Sequence, residues 1–549
     1  MNDLPRSMET RQDLADLLRR IFPEAEGDLS PIRGGRREAE RLLAAIDPSR
    51  YGGSRNHLDG AVTRLSPYIR HGVLTLAEVR DAVVARVGAQ EGASAAAPAE
   101  LEERGPVQGE LFPAAADQGS RSRGGRRKVK QRPGGKLVQE LGWRDYWQRL
   151  WRRWGDGIWS DREPLKTGHP PERYSPELPT DITEGRTGLA CMDAFAADLE
   201  RIGWLHNHAR MWLASYVVHW RRVRWQAGAR WFLRHLLDGD PASNNLSWQW
   251  VASSFGSKPY IFNRDNLERF SSGRYCRSCP RAGLGGALRP GGCPFEASYN
   301  ELQRWLFDPS ARPPASHQLA GADGGVTSSP VGPDVRDATT ATTNAASTNV
   351  ATTMAAPPPA WAGGGAPGDG PTTAEPPRSP ILWIHGEALG PANPVWKRHP
   401  GRPAVFVFDR ELIAGRTLTG GGEPRAPHPV SLKRLGFLHE CLQELPVTLR
   451  VGEVAEEVIA FARRHGADGV VTSQAVDPRF ALLLGRIAAV LPVGVLEPEP
   501  FVVLGETADR PIDLGRFSRY WKVAEAAVWA LHSPRGWHDS SAPPADLPS

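Results

Sequence analysis

From residue 311 to 378 the chain runs almost without interruption through Ala, Thr, Pro and Gly, as in DATTATTNAASTNVATTMAAPPPA. Such a composition buries too little apolar surface to offset the entropy of ordering it, so a flexible linker is expected there. The apolar periodicity differs on its two sides. Before the linker, over 36–90 and 136–310, apolar residues recur every three or four positions, as in Leu137, Leu141, Tyr146 and Leu150, which is the helical repeat. After it come ILWIHG, AVFVFD, VTLRVG, DGVVTS and VGVLEP, short β-rich runs separated by helical segments near 431–444, 453–465 and 478–490. That alternation predicts a doubly wound parallel sheet.

The expected architecture is a mainly α domain over 1–310, followed by a smaller α/β domain over 379–505. Residues 506–549 form a last amphipathic helix, around RFSRYWKVAEAAVWALH, and a tail. A second stretch of linker-like composition, 91–135, interrupts the helical domain and ends in the basic run RSRGGRRKVKQRPGGK. The 549 residues carry a net charge of +5, with a pI near 9.0, a balance that permits a polyanionic partner without requiring one. The first residues, MNDLPRSMETRQDLADLLRRIF, mix charges of both signs, and no run of eighteen apolar residues follows. A cytoplasmic protein with no membrane partner is therefore expected, and a monomer. Five cysteines, an odd number, argue for reduced thiols over a disulfide framework.

Tryptophan is abundant, at 19 residues. Large aromatics fill helical cores, and they also wall cavities for flat ligands. Within 184–263, Asn207, Arg210 and Met211 stand at i, i+3 and i+4, so one helix face presents an amide, a guanidinium and a thioether. Asp238 and Asp240 follow in a Gly-containing turn, with Asn244 and Asn245 just beyond. Taken alone, Arg210 and Asp238 also suit a plain structural ion pair.

The order and spacing of GWLHNHARMWLAS, WQAGARWFLRHLLDGDPASNNLSWQW and PYIFN resemble the flavin-binding domain of DNA photolyases and cryptochromes, and the resemblance extends over about 36–265. Upstream, Ala61 to Tyr68 resembles the family's phosphate-cradling stretch, with Val62 where a Thr is usual. The resemblance implies an FAD held by Tyr51, Thr63, Leu65, Ser66, Arg144, Asn207, Arg210, Asp238, Asp240 and Asn244. It implies an electron relay through Trp248 and then Trp225, with Glu172 at the third position and Tyr174 close by. For the substrate it implies Glu140, Trp143, Asn207, Met211 and Trp250 around a flipped cyclobutane pyrimidine dimer. Six-four photolyases resemble this chain less, since they place histidines where it has Asn207 and Met211. The implied activity is light-driven dimer repair in UV-damaged DNA by electron transfer from reduced FAD. A cryptochrome-like blue-light photoreceptor is the alternative, and a flavoprotein with a dark redox role a third reading. ILWIHG and AVFVFD resemble the family's antenna domain, which ordinarily comes first. Here GEALGPANP replaces its charged motif, and the antenna pigment is unassigned.

Cys276, Cys279 and Pro280 form a CxxC-Pro followed thirteen residues later by a third Cys, Cys293, beside Pro294. That pattern suits an iron-sulfur cluster or zinc, and leaves open no metal at all. Cys191 occupies a place resembling that of the distant cysteine in iron-sulfur bacterial photolyases, which implies a four-iron four-sulfur cluster on Cys191, Cys276, Cys279 and Cys293.

Overall fold

The computed structural model describes residues 3–95, 134–281, 292–317, 377–416, 429–505 and 511–531. The greater part of the expected linker and of the basic insertion lies outside the described residues.

The helical part begins with α1 (Arg11–Ile21), α2 (Arg36–Ala44), α3 (Pro48–Ser54), α4 (Ser66–Arg70) and α5 (Leu76–Ala95). Helix α5 continues past residue 90, where the sequence composition suggests an interruption. It goes on through α6 (Gly135–Trp154), α7 (Thr180–Thr183), α8 (Ala190–Ile202), α9 (Asn207–Ser215), α10 (Trp225–His235), α11 (Pro241–Ala252), α12 (Arg264–Ser271) and α13 (Tyr299–Phe307). Local chemistry fixes several of these starts. Asp240 caps α11 by accepting from Ser243 N with Pro241 following, and Asn263 caps α12 by accepting from Asn266 N.

The α/β part carries β2 (Ile381–Ile384), α14 (Pro394–Arg398), β3 (Ala404–Asp409), α15 (Arg410–Ile413), α16 (Leu432–Gln443), β4 (Thr448–Gly452), α17 (Val454–Arg464), β5 (Val470–Ser473), α18 (Pro478–Ala488) and β6 (Val493–Leu496), and α19 (Phe517–Ala530) ends the described chain. The five strands are parallel, as their apolar runs suggest. A sixth joins them from the other end of the chain: β1 (Asp3–Leu4) pairs antiparallel with β4, giving the order β1-β4-β3-β2-β5-β6. This departs from the expectation that residues 1–310 belong to the helical domain alone. A two-residue strand has no periodicity to read.

Helices α17 and α18 cover one face of the sheet, through Val454, Val458, Phe461, Phe480 and Leu483. The other face is buried in a core shared with the helical part, which joins Phe406, Phe408, Leu432 and Phe437 to Leu18, Tyr68, Leu141, Leu150 and Tyr520. A parallel sheet must be covered on both sides, and here the helical domain supplies part of the cover. A separate core around Trp212, Trp225 and Trp248 lies within the helical part.

Candidate functional site

The flavin-site residues converge around α9 and the turn between α10 and α11. Arg210 donates from Nη2 to Asp238 Oδ2 at 2.7 Å, and its Nε donates to Leu205 O at 2.9 Å. The same turn of α9 carries Arg210 together with Met211 and Asn207, whose Nδ2 lies 3.3 Å from Met211 Sδ. The i, i+3, i+4 spacing therefore sets these three side chains on one face. Asp240 is buried and accepts two hydrogen bonds from Gln148 Nε2, at 2.9 and 3.0 Å, with Arg144 Nη1 at 3.4 Å and Arg70 Nε at 3.9 Å. Burial alone would raise its pKa, but Arg144, Arg70 and the Ser243 amide hold the carboxyl below its usual value. Asn244 donates to Ala229 O at 3.0 Å.

Of the upstream stretch, Arg64 takes a positive φ of 54° and lies over the Trp204 ring, and Trp204 Nε1 donates to Ser66 Oγ at 3.2 Å. The Ser66 hydroxyl thus accepts from the indole and keeps its proton to donate. Thr63 Oγ1 accepts from Leu65 N, and Leu65 is buried. Tyr51 is partly buried, and burial followed by the Glu140 charge raises its pKa.

An FAD suits this donor set by one observation in particular. Asp238 Oδ1 is buried with no hydrogen-bond partner, although Oδ2 is taken by Arg210. A buried carboxylate oxygen left without a donor is costly, and a ligand hydroxyl or N–H there would satisfy it.

The expected substrate residues lie on two cores. Glu140 Oε1 is 3.2 Å from Arg55 Nη1 and 3.3 Å from Lys136 Nζ, yet no donor is in hydrogen-bonding geometry with it. Arg55 and Lys136 escaped sequence reasoning, although Lys136 stands at i−4 from Glu140 and is legible in hindsight. Trp143 packs against the core shared by both domains, and its ring stacks on Phe517 at 3.6 Å between centroids, with planes 10° apart. Trp250 packs against the helical core and lies 5.3 Å from Tyr260.

In the expected relay, Trp248 packs against α10, where a Cβ on Gly228 would fall 2.2 Å from its ring, one turn after Trp225. Trp225 is buried and donates to Asp161 Oδ1 at 2.6 Å. Glu172 is exposed, while Tyr174 is buried and shares a 2.7 Å hydrogen bond with Thr167.

All four candidate ligand cysteines, Cys191, Cys276, Cys279 and Cys293, line one small void with Leu189, Leu267 and Phe295. Burial pushes the Cys276 thiol up to about 12 and that of Cys293 up to about 11. Among the described residues no three His, Cys, Asp or Glu side chains are set to hold a single metal ion.

A second cavity, of about 340 Å³, opens between the domains. Trp151, Trp159 and Arg230 line it from the helical side, and His385, Glu387, Asp409, Asp477 and Arg479 from the sheet. The loops after β2 and β5 meet there, where the strand order reverses, and ligands of doubly wound sheets bind in that crevice. The βαβ pattern could have located it. Arg479 donates from Nε to Asp409 Oδ2 at 2.8 Å, and its Nη1 is buried with no partner. Burial and Glu387 raise the Asp477 carboxyl to about 6.

Residues 137–273 match the family model of the FAD binding domain of DNA photolyase. That range takes in α6 and the whole of α9 to α11, so the turn holding Asp238 and Asp240 is part of a photolyase-type FAD-binding domain. A deoxyribodipyrimidine photo-lyase of Streptomyces griseus is 39% identical over 118 residues, 22% of this chain and 25% of the relative. Another, from Synechococcus, is 29% identical over 217 residues, 32% of this chain and 42% of the relative. The crystal structure of an archaeal photolyase from Sulfolobus tokodaii is 25% identical with a TM-score of 0.30, covering 45% of this chain and 46% of that one. Over residues 137–273 the chain is similar to the FAD-binding domain of DNA photolyase, and it spans less than half the length of these relatives. No described helix is long and apolar enough to cross a membrane.

Proposed function

We propose that this protein repairs cyclobutane pyrimidine dimers in UV-damaged DNA with light. The observation that carries the proposal is the single turn of α9 on which Arg210 pairs with Asp238 while Asn207 and Met211 present an amide and a thioether beside it. A flavin-holding and a substrate-facing set thereby share one rigid element. Reduced FAD, when bound, supplies on excitation the electron that splits the dimer and receives it back. Arg210, Asp238, Asp240 and Asn244 would hold the cofactor, with Thr63 and Ser66 donating to its phosphates. Glu140 Oε1, lacking a hydrogen-bond donor and flanked by two cations, would accept from the polar edge of the dimer. Trp143 and Trp250 would offer its rings flat apolar walls. Trp248 and Trp225 would form an electron path to the cofactor.

The same reading includes a four-iron four-sulfur cluster on Cys191, Cys276, Cys279 and Cys293. Four thiols around one void support this reading.

Light-dependent repair of a thymine dimer and, separately, of a six-four product in single-stranded DNA tests the assignment. Wild type is expected to repair the dimer, Glu140→Ala to lower the yield with flavin content unchanged, and Trp143→Ala to weaken binding by about 1 to 3 kcal/mol. Repair of the six-four product alone would refute the argument from Asn207 and Met211. Repair of neither would favour a photoreceptor. Iron and sulfide analysis of Cys276→Ser should show the cluster lost.

A further inference from the structure

Asp238 and Asp240 stand on the five-residue turn Leu236–Asp240, whose Leu236 and Leu237 are buried in the two cores that meet there. Its backbone is held from outside. Arg434, on α16 of the α/β domain, donates from Nε to Leu236 O at 2.9 Å and from Nη2 to Leu236 O and Leu233 O. These carbonyls end α10 and have no acceptor role within it, and a helix C-terminus favours a cation. Gly239, between the two aspartates, makes room for this contact, because a Cβ there would fall 2.1 Å from Arg434 Nη2. On the other side Arg70 donates to Gly239 O at 3.0 Å, and His71 Nε2 lies 2.9 Å from Leu237 O. The turn is thus gripped between α4 and an arginine nearly two hundred residues further along the chain.

From this geometry we infer that Arg434 is a positioning residue for the flavin, so that the α/β domain is part of the FAD-binding machinery. Arg434 acts through the Leu236 carbonyl, which also accepts from Gly239 N at 3.2 Å, and so sets the directions in which Asp238 and Asp240 project. Its guanidinium is buried, and burial together with Arg70 pushes its pKa down to about 9 while the Asp238 charge opposes that shift. Asp238 therefore faces two guanidiniums, Arg210 on its own domain and Arg434 from the other. The neighbouring Lys433 is a contrast: its Nζ lies 3.1 Å from the ring of His235 and bonds no carbonyl of the turn.

The inference rests on FAD binding at Asp238 and Asp240, and titration of the purified full-length protein with FAD tests it. Arg434→Met and Gly239→Ala are each expected to raise the FAD dissociation constant at least tenfold and to blur the vibronic structure of the bound flavin spectrum. Arg434→Lys, which keeps the charge but not the fork of donors, should fall between them and wild type, and it provides the reading if Arg434→Met does not fold. Lys433→Met removes a cation from the same domain contact. It is expected to lower the melting temperature with FAD affinity unchanged. Wild-type FAD affinity in folded Arg434→Met and Gly239→Ala proteins would overturn the inference, as would an equal loss of affinity in Lys433→Met. A wild-type protein that takes up no FAD would overturn the flavin reading and this inference with it.

Discussion

Asp238 divides its two oxygens between the protein and an expected ligand. Oδ2 accepts from Arg210, and Oδ1 is buried with no donor. Replacing it with Ala leaves the guanidinium without its carboxylate and removes the oxygen turned to the ligand. The expected loss is about 2 kcal/mol of FAD affinity, the scale of one hydrogen bond to a charged group, read as a roughly thirtyfold rise in the dissociation constant. Asp238→Asn, which keeps the shape and loses the charge, should lose less. Full FAD retention in the Ala protein would place the flavin elsewhere. The pairing was legible through the resemblance to the flavin-binding domain, which brings Arg210 and Asp238 together although 28 residues and the whole of α10 separate them. Arg55 against Glu140, and Arg434 against the turn, were not. Their partners come together only through tertiary packing, for which a single sequence carries no periodic signal.

Whole elements show the same division. Helices α16, α17 and α18 follow from apolar spacing, since each buries a repeating face, and the parallel strands from short apolar runs, of which β2, β3 and β5 are buried throughout. The amphipathic pattern near the end of the chain indicates α19, but not where it docks. It lies on α6: Trp521 packs where a Cβ on Gly142 would sit 2.2 Å from its ring, Tyr520 donates to Asp145 Oδ2 at 2.6 Å, and Tyr146 donates to Leu514 O at 2.8 Å. Phe517 is thereby stacked on Trp143, so one face of the indole is taken. Phe517→Leu should loosen that indole without touching the flavin. The expected result is a dissociation constant for dimer-containing single-stranded DNA raised about fivefold, near 1 kcal/mol for the loss of an aromatic stack, with the repair yield per bound dimer unchanged. Unchanged affinity would mean that Phe517 does not set the Trp143 wall. Tighter binding would mean that the helix obstructs the site.

At the scale of the molecule, the composition of 311–378 suggests two independent units, yet the sheet, α1, α6 and α19 share one core, and α6 and the sheet both line the cavity at the strand-order reversal. Composition reports where chain is not needed for packing, and it is silent on which faces meet across the gap. The junction should respond to pH through Asp477. This carboxyl caps α18 by accepting from Arg479 N at 2.9 Å, and it is surrounded by Glu387, Arg70 and Arg479. Burial and Glu387 raise it to about 6, outweighing the two arginines, whereas an unfolded Asp titrates near 3.8. Between about pH 4 and 6 the folded state therefore holds a proton that the unfolded chain has released. The contribution of this group to stability is greatest below pH 4, falls as pH rises through 6, and is then lost. Asp477→Asn keeps the cap and never carries the charge. It should raise the melting temperature at pH 8, by an amount corresponding to at most about 3 kcal/mol, and the advantage should shrink at pH 5. Calorimetry of the two proteins at both pH values measures the difference. An equal difference at pH 5 and pH 8 would show that Asp477 does not titrate in this range, and a destabilised Asn protein at pH 8 would show that the charge is favourably paired with Arg70 and Arg479.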